Sequence, residues 1–561
     1  MSYLYRQFTI AGRCLLLAPA LLAALAAHAQ APPWDQATPG STTPLGSSYT
    51  STTSAIATDA SGNVFVTGNF TGTVIFGNTT LTTTGGSDLF VAKYVPATGT
   101  WAWAMRGGGY YADSGTGIAV SGNSVYVTGE FYNNARNTYN VTLGSNSQGP
   151  GLTPLAGASA ADSQDLLLAK YTDNGLSATL SWTQVGGGSG GETGNGVAVQ
   201  GSSVYVVGSL LSDQANSRGV LFGGSGLTPG TMPVPGATTT ASSDVVLAKY
   251  TDNGPSATFI WAQVSGGIET EYGGGVAVSG SSIYLTGTYA NTSSNAKGVV
   301  FGGSGPTPGT SPQAGASSTY SQDIVLAKYF DNGPTATFVW SQVGGGTNDD
   351  FANGIAVSGS SVYVTGSLYN NAANLQSVVF GGGGTTAGTI PVPGASAASS
   401  QDLLLAKYTD NGATGSYQWS QVGGGTGSDY GYGLALRGQQ VYAAGSAEPP
   451  ATFGTLTVAV PNAQRAYTLN VLARVTDPAL TALPTRVASP GAGLALYPNP
   501  TRATATLTGA PAGAAVRVLD ALGRVAATTT ADATGTAALT GLPAGLYLVR
   551  VGTTAVRLAV E

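Results

Sequence analysis

Apolar and polar residues alternate in short blocks along most of the chain, and the blocks return at a fixed distance. From Gly196 the order is G-V-A-V, S-V-Y-V-V-G, a long Gly/Pro/Thr-rich stretch holding V-L-F-G-G, D-V-V-L-A-K-Y-T-D-N-G and F-I-W-A-Q-V. The opening glycine stands at Gly117, Gly196, Gly275, Gly354 and Gly433, each 79 residues after the one before. Runs rich in β-branched and aromatic residues, bounded by Gly, Ser, Asn and Asp, predict strands, and the fixed period predicts a repeat architecture. Each period supplies four strands: A (G-[IV]-A-V), B (S-V-Y-V-x-G), C (D-[LIV]-[LV]-L-A-K-Y) and D, the tryptophan strand (W-x-Q-V).

Strand A occurs six times, counting a degenerate copy at Ala55. Strand C ends at Lys93, Lys170, Lys249, Lys328, Lys407 and, weakly, Arg474. No tryptophan strand follows Arg474, whereas Trp34-Asp35-Gln36 stands alone before the first strand A. An N-terminal strand that completes the last repeat closes a ring and removes its exposed edges. The expectation is a six-bladed β-propeller over residues 30–476, four strands to a blade. An open β-solenoid leaves the orphan strand unexplained. Strand C is apolar on both faces, Leu167, Ala169 and Tyr171 one way and Leu166 and Leu168 the other, as packing between two neighbours demands. The run G-V-A-V-S-G-S-S-I-Y-L-T-G at Gly275–Gly287, with D-x-x-x-A-K-Y and the tryptophan strand, resembles the bacterial repeats called SBBP. That resemblance covers nearly all of 30–476 and speaks to fold, not to activity.

Residues 1–29 read as a secretory signal. Arg6 and Arg13 precede an apolar run from Leu15 to Ala26, and Ala27-His28-Ala29 gives an A-x-A cleavage site between Ala29 and Gln30. The run is shorter than the ~20 residues a membrane span needs, and no later stretch is apolar enough. The only cysteine, Cys14, and the only histidine, His28, lie inside this leader. The mature chain therefore has no Ser-His-Asp triad, no Cys-His pair, no disulfide and no zinc site built on His or Cys. Charged residues make up 8% of the chain, with 26 acidic against 20 basic, a balance that argues against a nucleic-acid partner.

Strand order places the D-to-A crossing and the long B-to-C insertion on one rim, and the V-L-F-G-G core of the insertion predicts a small projecting hairpin. The crossing holds Asp113, Glu192, Glu271, Asp350 and Asp429 at one repeat position, with Tyr110, Tyr111, Tyr272, Phe351, Tyr430 and Tyr432 nearby. Five carboxylates around a channel mouth make a cation or carbohydrate site, with Tyr272, Phe351 and Tyr430 stacking on sugar faces. The alternative is that each acid accepts backbone N–H bonds in its own Gly-rich turn. T-D-N-G at Thr172–Gly175, Thr251–Gly254 and Thr409–Gly412 lacks the spacing of a calcium loop and reads as a turn. No cofactor is therefore expected, calcium at the acids being the one exception left open. The strand-C lysines, Lys93 to Lys407, are expected to pair with neighbouring carboxylates.

After Arg474 the composition shifts. Asp477 to Gly493 reads as a linker, and 494–561 as a small Ig-like β-sandwich with Gly and Pro turns. L-A-L-Y-P-N-P, with Tyr497, Pro498, Asn499 and Pro500, is followed by V-R-V-L-D-A-L-G-R-V and then by L-P-A-G-L-Y-L-V-R-V, with Gly545 and Tyr547. These blocks resemble the type A sorting domain of type IX secretion in Bacteroidota. The resemblance implies Sec export, passage across the outer membrane by the type IX machinery, and a secreted or surface-bound product. The function expected is a non-enzymatic adhesin or glycan- or protein-binding module. The alternatives are a structural surface or matrix protein without a ligand site and, with less support, a carboxylate-based glycoside hydrolase.

Overall fold

The computed structural model describes residues 34–39, 51–145, 153–304, 309–459, 469–480, 495–497 and most of 501–560. Ala29, Gln30, Pro498, Asn499 and Pro500 lie outside the described residues. Among the described residues every regular element is a strand. The chain divides into two compact units, Met1–Leu480 and Thr481–Glu561.

The first unit holds six large antiparallel sheets, each built from one A-B-C-D set. In the second sheet these are Ser114–Ser121, Ser124–Asn133, Ser163–Asp173 and Ala178–Gly187. Strand C alternates its side chains between two cores. Leu167, Ala169 and Tyr171 pack with Val91 and Phe65 of the first sheet. Leu166 and Leu168 pack with Val204, Val206 and Val246 of the third. This two-sided burial is what the double apolar pattern of strand C requires. In the sixth sheet the outer strand comes from the other end of the chain: Trp34–Pro39 pairs with Leu469–Thr476, Trp34 opposite Val475 and Pro39 opposite Val471.

Five sheets carry two strands more than the repeat pattern predicts, and these come from the insertion of the following repeat. Leu221–Gly224 and Met232–Pro233, in the B-to-C insertion of the third repeat, continue the second sheet beyond its strand D, Val185 pairing with Gly224. The hairpin does not project as its sequence predicts. A lone hairpin is marginal in water, whereas here it satisfies the free edge of strand D and sinks Val220 and Phe222 into the inter-sheet core.

The A strands lie side by side in repeat order, and Ser51–Thr58 touches both Ser114–Ser121 and Tyr430–Arg437. At Gly117, Gly196, Gly275 and Gly354 the backbones approach so closely that a side chain would crowd the next strand, whereas Gly433 faces open space. A Cβ on Gly117 would stand 3.0 Å from the Gly196 Cα, and one on Gly354 would stand 3.1 Å from the Gly433 Cα. Between them the A strands line a cavity of about 800 Å³.

The second unit is a two-sheet sandwich. One sheet contains Ala495–Tyr497, Thr504–Thr508 and Ala537–Thr540; the other contains Ala515–Leu519, Val525–Thr530, Gly545–Val551 and Thr554–Val560. Leu507, Val516, Val518, Leu539, Val549 and Leu558 form its shared core. Gly545 pairs with Val560, and the Tyr547 hydroxyl donates to the Pro543 carbonyl at 2.8 Å.

Candidate functional site

All five repeated acids are buried, at 0–1% exposure. Each sits in the turn that leads from strand D of one sheet to strand A of the next. Asp113 accepts the N–H groups of Gly109 and Tyr132 at 2.8 and 3.0 Å, and Asp350 those of Gly346 and Tyr369 at 2.8 and 2.7 Å. Glu192 takes Gly188 and Leu211, Asp429 takes Gly425 and Glu448, and Glu271 takes Gly267. The carboxylate thus staples the crossing to the far end of strand B, as the turn alternative anticipated. None of the five lines the cavity between the A strands. Tyr272, Phe351 and Tyr430 open their A strands; Tyr272 is about half exposed, and Tyr430 stacks on Tyr432 at 6.3 Å.

A second buried carboxylate faces each staple across a glycine of strand D. A Cβ on Gly187 would stand 2.0 Å from Asp165 Oδ1 and 3.0 Å from Glu192 Oε2, and Gly345 is placed likewise between Asp323 and Asp350. Burial pushes the carboxyls of Asp113 and Glu192 up to about 7 against the pull of their backbone donors, and pushes Asp165, Asp244, Glu271, Asp323 and Asp350 well up. Among the described residues no group of three or more Asp, Glu, His or Cys is placed to hold a metal ion.

The lysines at the end of strand C meet the aspartates that follow strand C of the next repeat, three of them in T-D-N-G turns. Lys93, Lys170, Lys249, Lys328 and Lys407 lie 2.5–2.6 Å from Asp173, Asp252, Asp331, Asp410 and Asp477, each on the next sheet. The same aspartate accepts a strand-B tyrosine hydroxyl, such as Tyr126 on Asp252 at 2.6 Å, and a strand-D indole, such as Trp182 on Asp252 at 3.1 Å. It also caps its own turn through the Gly254 N–H. T-D-N-G is therefore both turn and clamp. Asp477, placed in the linker by composition, works as the clamp of the sixth sheet.

One rim carries groups the repeat does not share. A backbone bond joins the D-to-A turn to the insertion in four repeats: Tyr110 N–H to the Tyr139 carbonyl, Ser189 to Arg218, Ile268 to Lys297 and Thr347 to Gln376, at 2.8–3.2 Å. Around the first of these Tyr110, Tyr111, Tyr132 and Tyr139 cluster with ring centroids 4.7–5.7 Å apart. Tyr139 and Asp162, both missed by sequence reasoning, meet at 2.7 Å from hydroxyl to carboxylate. Their signal was a break in the repeat, visible only once their structural neighbours are known.

Residues 495–558 match the family described as a secretion system C-terminal sorting domain. No curated protein matches the chain. Among solved structures, PorZ, described as an essential bacterial surface component of the type-IX secretion system of Porphyromonas gingivalis, aligns over 91% of this chain and 82% of its own at 12% identity. Its TM-score of 0.15 carries no argument about this fold. Among the described residues no helix is long and apolar enough to cross a membrane. The chain ends in a sorting domain of type IX secretion, which sends it to the cell surface or beyond.

Proposed function

We propose that the chain is a non-catalytic binding protein displayed outside the cell: a six-bladed β-propeller of SBBP-type repeats delivered by its type IX sorting domain. The observation that carries the reading is the division of labour between a repeat unit ending at Leu480 and a separate unit that holds the matched sorting domain. Closure of the ring is supported by the Trp34–Pro39 strand completing the last sheet, and by Ser51–Thr58 lying against both the second and the last A strand. Glycans or surface proteins are the ligands, taken at the rim where the repeat is broken.

The test has two parts. In a cell with type IX secretion, the chain lacking residues 495–561 stays inside the outer membrane while the intact chain reaches the surface or medium. The intact, folded chain then binds selectively on an array of glycans and matrix proteins. A second reading, a structural coat component without a ligand site, is favoured by the Lys–Asp clamp repeated at five joints, whose use is mechanical. Silence of the folded chain on the array selects it.

A further inference from the structure

In three repeats side chains from three places meet on the insertion rim: one from the D-to-A turn, one from the insertion and one just before strand C. In the fourth repeat they are Glu269, Lys297 and Tyr320, an ion pair of 2.7 Å with the ammonium 4.5 Å from the ring centroid. In the fifth they are Asn348, Gln376 and Ser399, joined by amide and hydroxyl hydrogen bonds. In the second they are Tyr111, Tyr139 and Asp162. The third has Gly190, Arg218 and Ala241 at these positions. The backbone bond from turn to insertion is the same in all four repeats, and a second, from Ala135, Gln214, Ser293 and Ala372 to the carbonyls of Ser159, Thr238, Ser317 and Ser396, ties the insertion to the stretch before strand C, so the frame is constant and only the chemistry changes. A structural role would keep the side chains as constant as the Lys–Asp clamps; variation on a fixed frame belongs to recognition.

We propose that the slot of the second repeat, Tyr110, Tyr111, Tyr132 and Tyr139 with Asp162, is a platform for a pyranose ring of a neutral polysaccharide. This rests on reading the chain as a surface binding protein and names its ligand class. Tyr110 is 66% exposed and Tyr111 42%, whereas seven other tyrosines among the described residues are less than 2% exposed. The exposed faces of Tyr110 and Tyr111, at 87° to one another and held by edge-to-face contacts of Tyr111 with Tyr132 and Tyr139, supply flat, rigid apolar surface ringed by hydroxyls, the match for a sugar with one C–H face and an equatorial fringe of OH groups. Asp162 accepts Tyr139 Oη at 2.7 Å and Asn134 Nδ2 at 2.6 Å. Both donors hold its carboxyl below the usual range. An ionised carboxylate has about four acceptor sites, so two remain for sugar hydroxyls. Asn134 is itself fixed by the Arg136 N–H and by Thr138, so the polar edge is pre-set.

The experiment uses the mature full chain, with β-glucan, α-mannan and galactan as soluble probes in affinity electrophoresis. At least one probe retards the wild type. The double variant Tyr110→Ala/Tyr111→Ala loses at least tenfold in affinity with an unchanged melting curve, Tyr110→Trp retains binding, and Met232→Ala, on an outer hairpin strand away from the slots, leaves it unaltered. Polysaccharide binding that survives the tyrosine variant overturns the site while leaving the binding reading intact. Binding of array proteins with no polysaccharide retarding the wild type overturns the ligand class, and silence on every probe removes both proposals together.

Discussion

Lys170 Nζ lies 2.6 Å from Asp252 Oδ2, across the joint between the second and third sheets, with both side chains about nine-tenths buried. Tyr126 and Trp182 converge on the same carboxylate, so one aspartate gathers three donors from the neighbouring sheet. Removing the acceptor strands them all. Asp331→Ala, at the next joint, where Lys249 and Tyr205 share the carboxylate, is expected to destabilise the first unit by about 3–5 kcal/mol, the usual result of breaking a buried pair. The paired change Lys249→Met/Asp331→Leu is expected to lose distinctly less. Urea unfolding of the three proteins side by side checks the order.

The repeated glycine of strand A gives a prediction with an internal control. Gly354→Ala places a methyl 2.8 Å from the Tyr432 carbonyl oxygen and 3.1 Å from the Gly433 Cα, and is expected to cost about 1–3 kcal/mol. Gly433 has nothing within 4 Å of the same point, and Gly433→Ala is expected to be neutral or slightly stabilising. Melting temperatures of the two variants should move in clearly different amounts.

Stability should fall as pH rises through neutrality. Burial raises Asp113 and Glu192 to about 7, above their unfolded values, so between about pH 4 and 7 the folded chain holds protons that the unfolded chain releases. Their contribution is whole below the unfolded value and is lost as pH climbs through 7. The clamps act in the opposite sense. Burial would raise Asp252, but the bonds from Lys170 and Tyr126 outweigh it and hold the carboxyl low, so that contribution fails only in strong acid. The urea midpoint should therefore decline from about pH 5 to about pH 8, and Asp113→Asn with Glu192→Gln should flatten the slope.

Phe222 tests the docked hairpin. Its ring is fully buried between the second and third sheets, whereas Met232 on the partner strand is half exposed. Phe222→Ala is expected to cost about 3–5 kcal/mol and Met232→Ala under about 0.5 kcal/mol. Hydrogen exchange should show faster exchange along Ala178–Gly187 in the first variant only.

Most of the framework could be read from the chain because it rests on local pattern. The two-faced strand C, the fixed glycine, the lysine–carboxylate pairing and the Trp34 strand each carried a residue-level signature. The rest depended on partners that a linear pattern does not name. The V-L-F-G-G segment has the same strand pattern whether it projects or docks, and the choice is made by a free edge in the preceding repeat. Glu192 at a rim position is equally compatible with a channel mouth and with a turn, since which way a carboxylate faces is decided by donors at Gly188 and Leu211. Asp162 is 51 residues from Tyr111, and only the fold brings them onto one slot.

The docked hairpins also set an order of assembly. Each sheet from the first to the fifth gains its outer strands only after the insertion of the next repeat has been made, and the sixth takes its outer strand from residues made first. Like overlapping tiles, no course is sealed until the one above is laid, and the final seal joins the two ends of the unit. The innermost four strands of each early sheet need nothing made later, but the sixth sheet cannot be completed until the whole unit is present, because its outer strand is the first made and its partner the last.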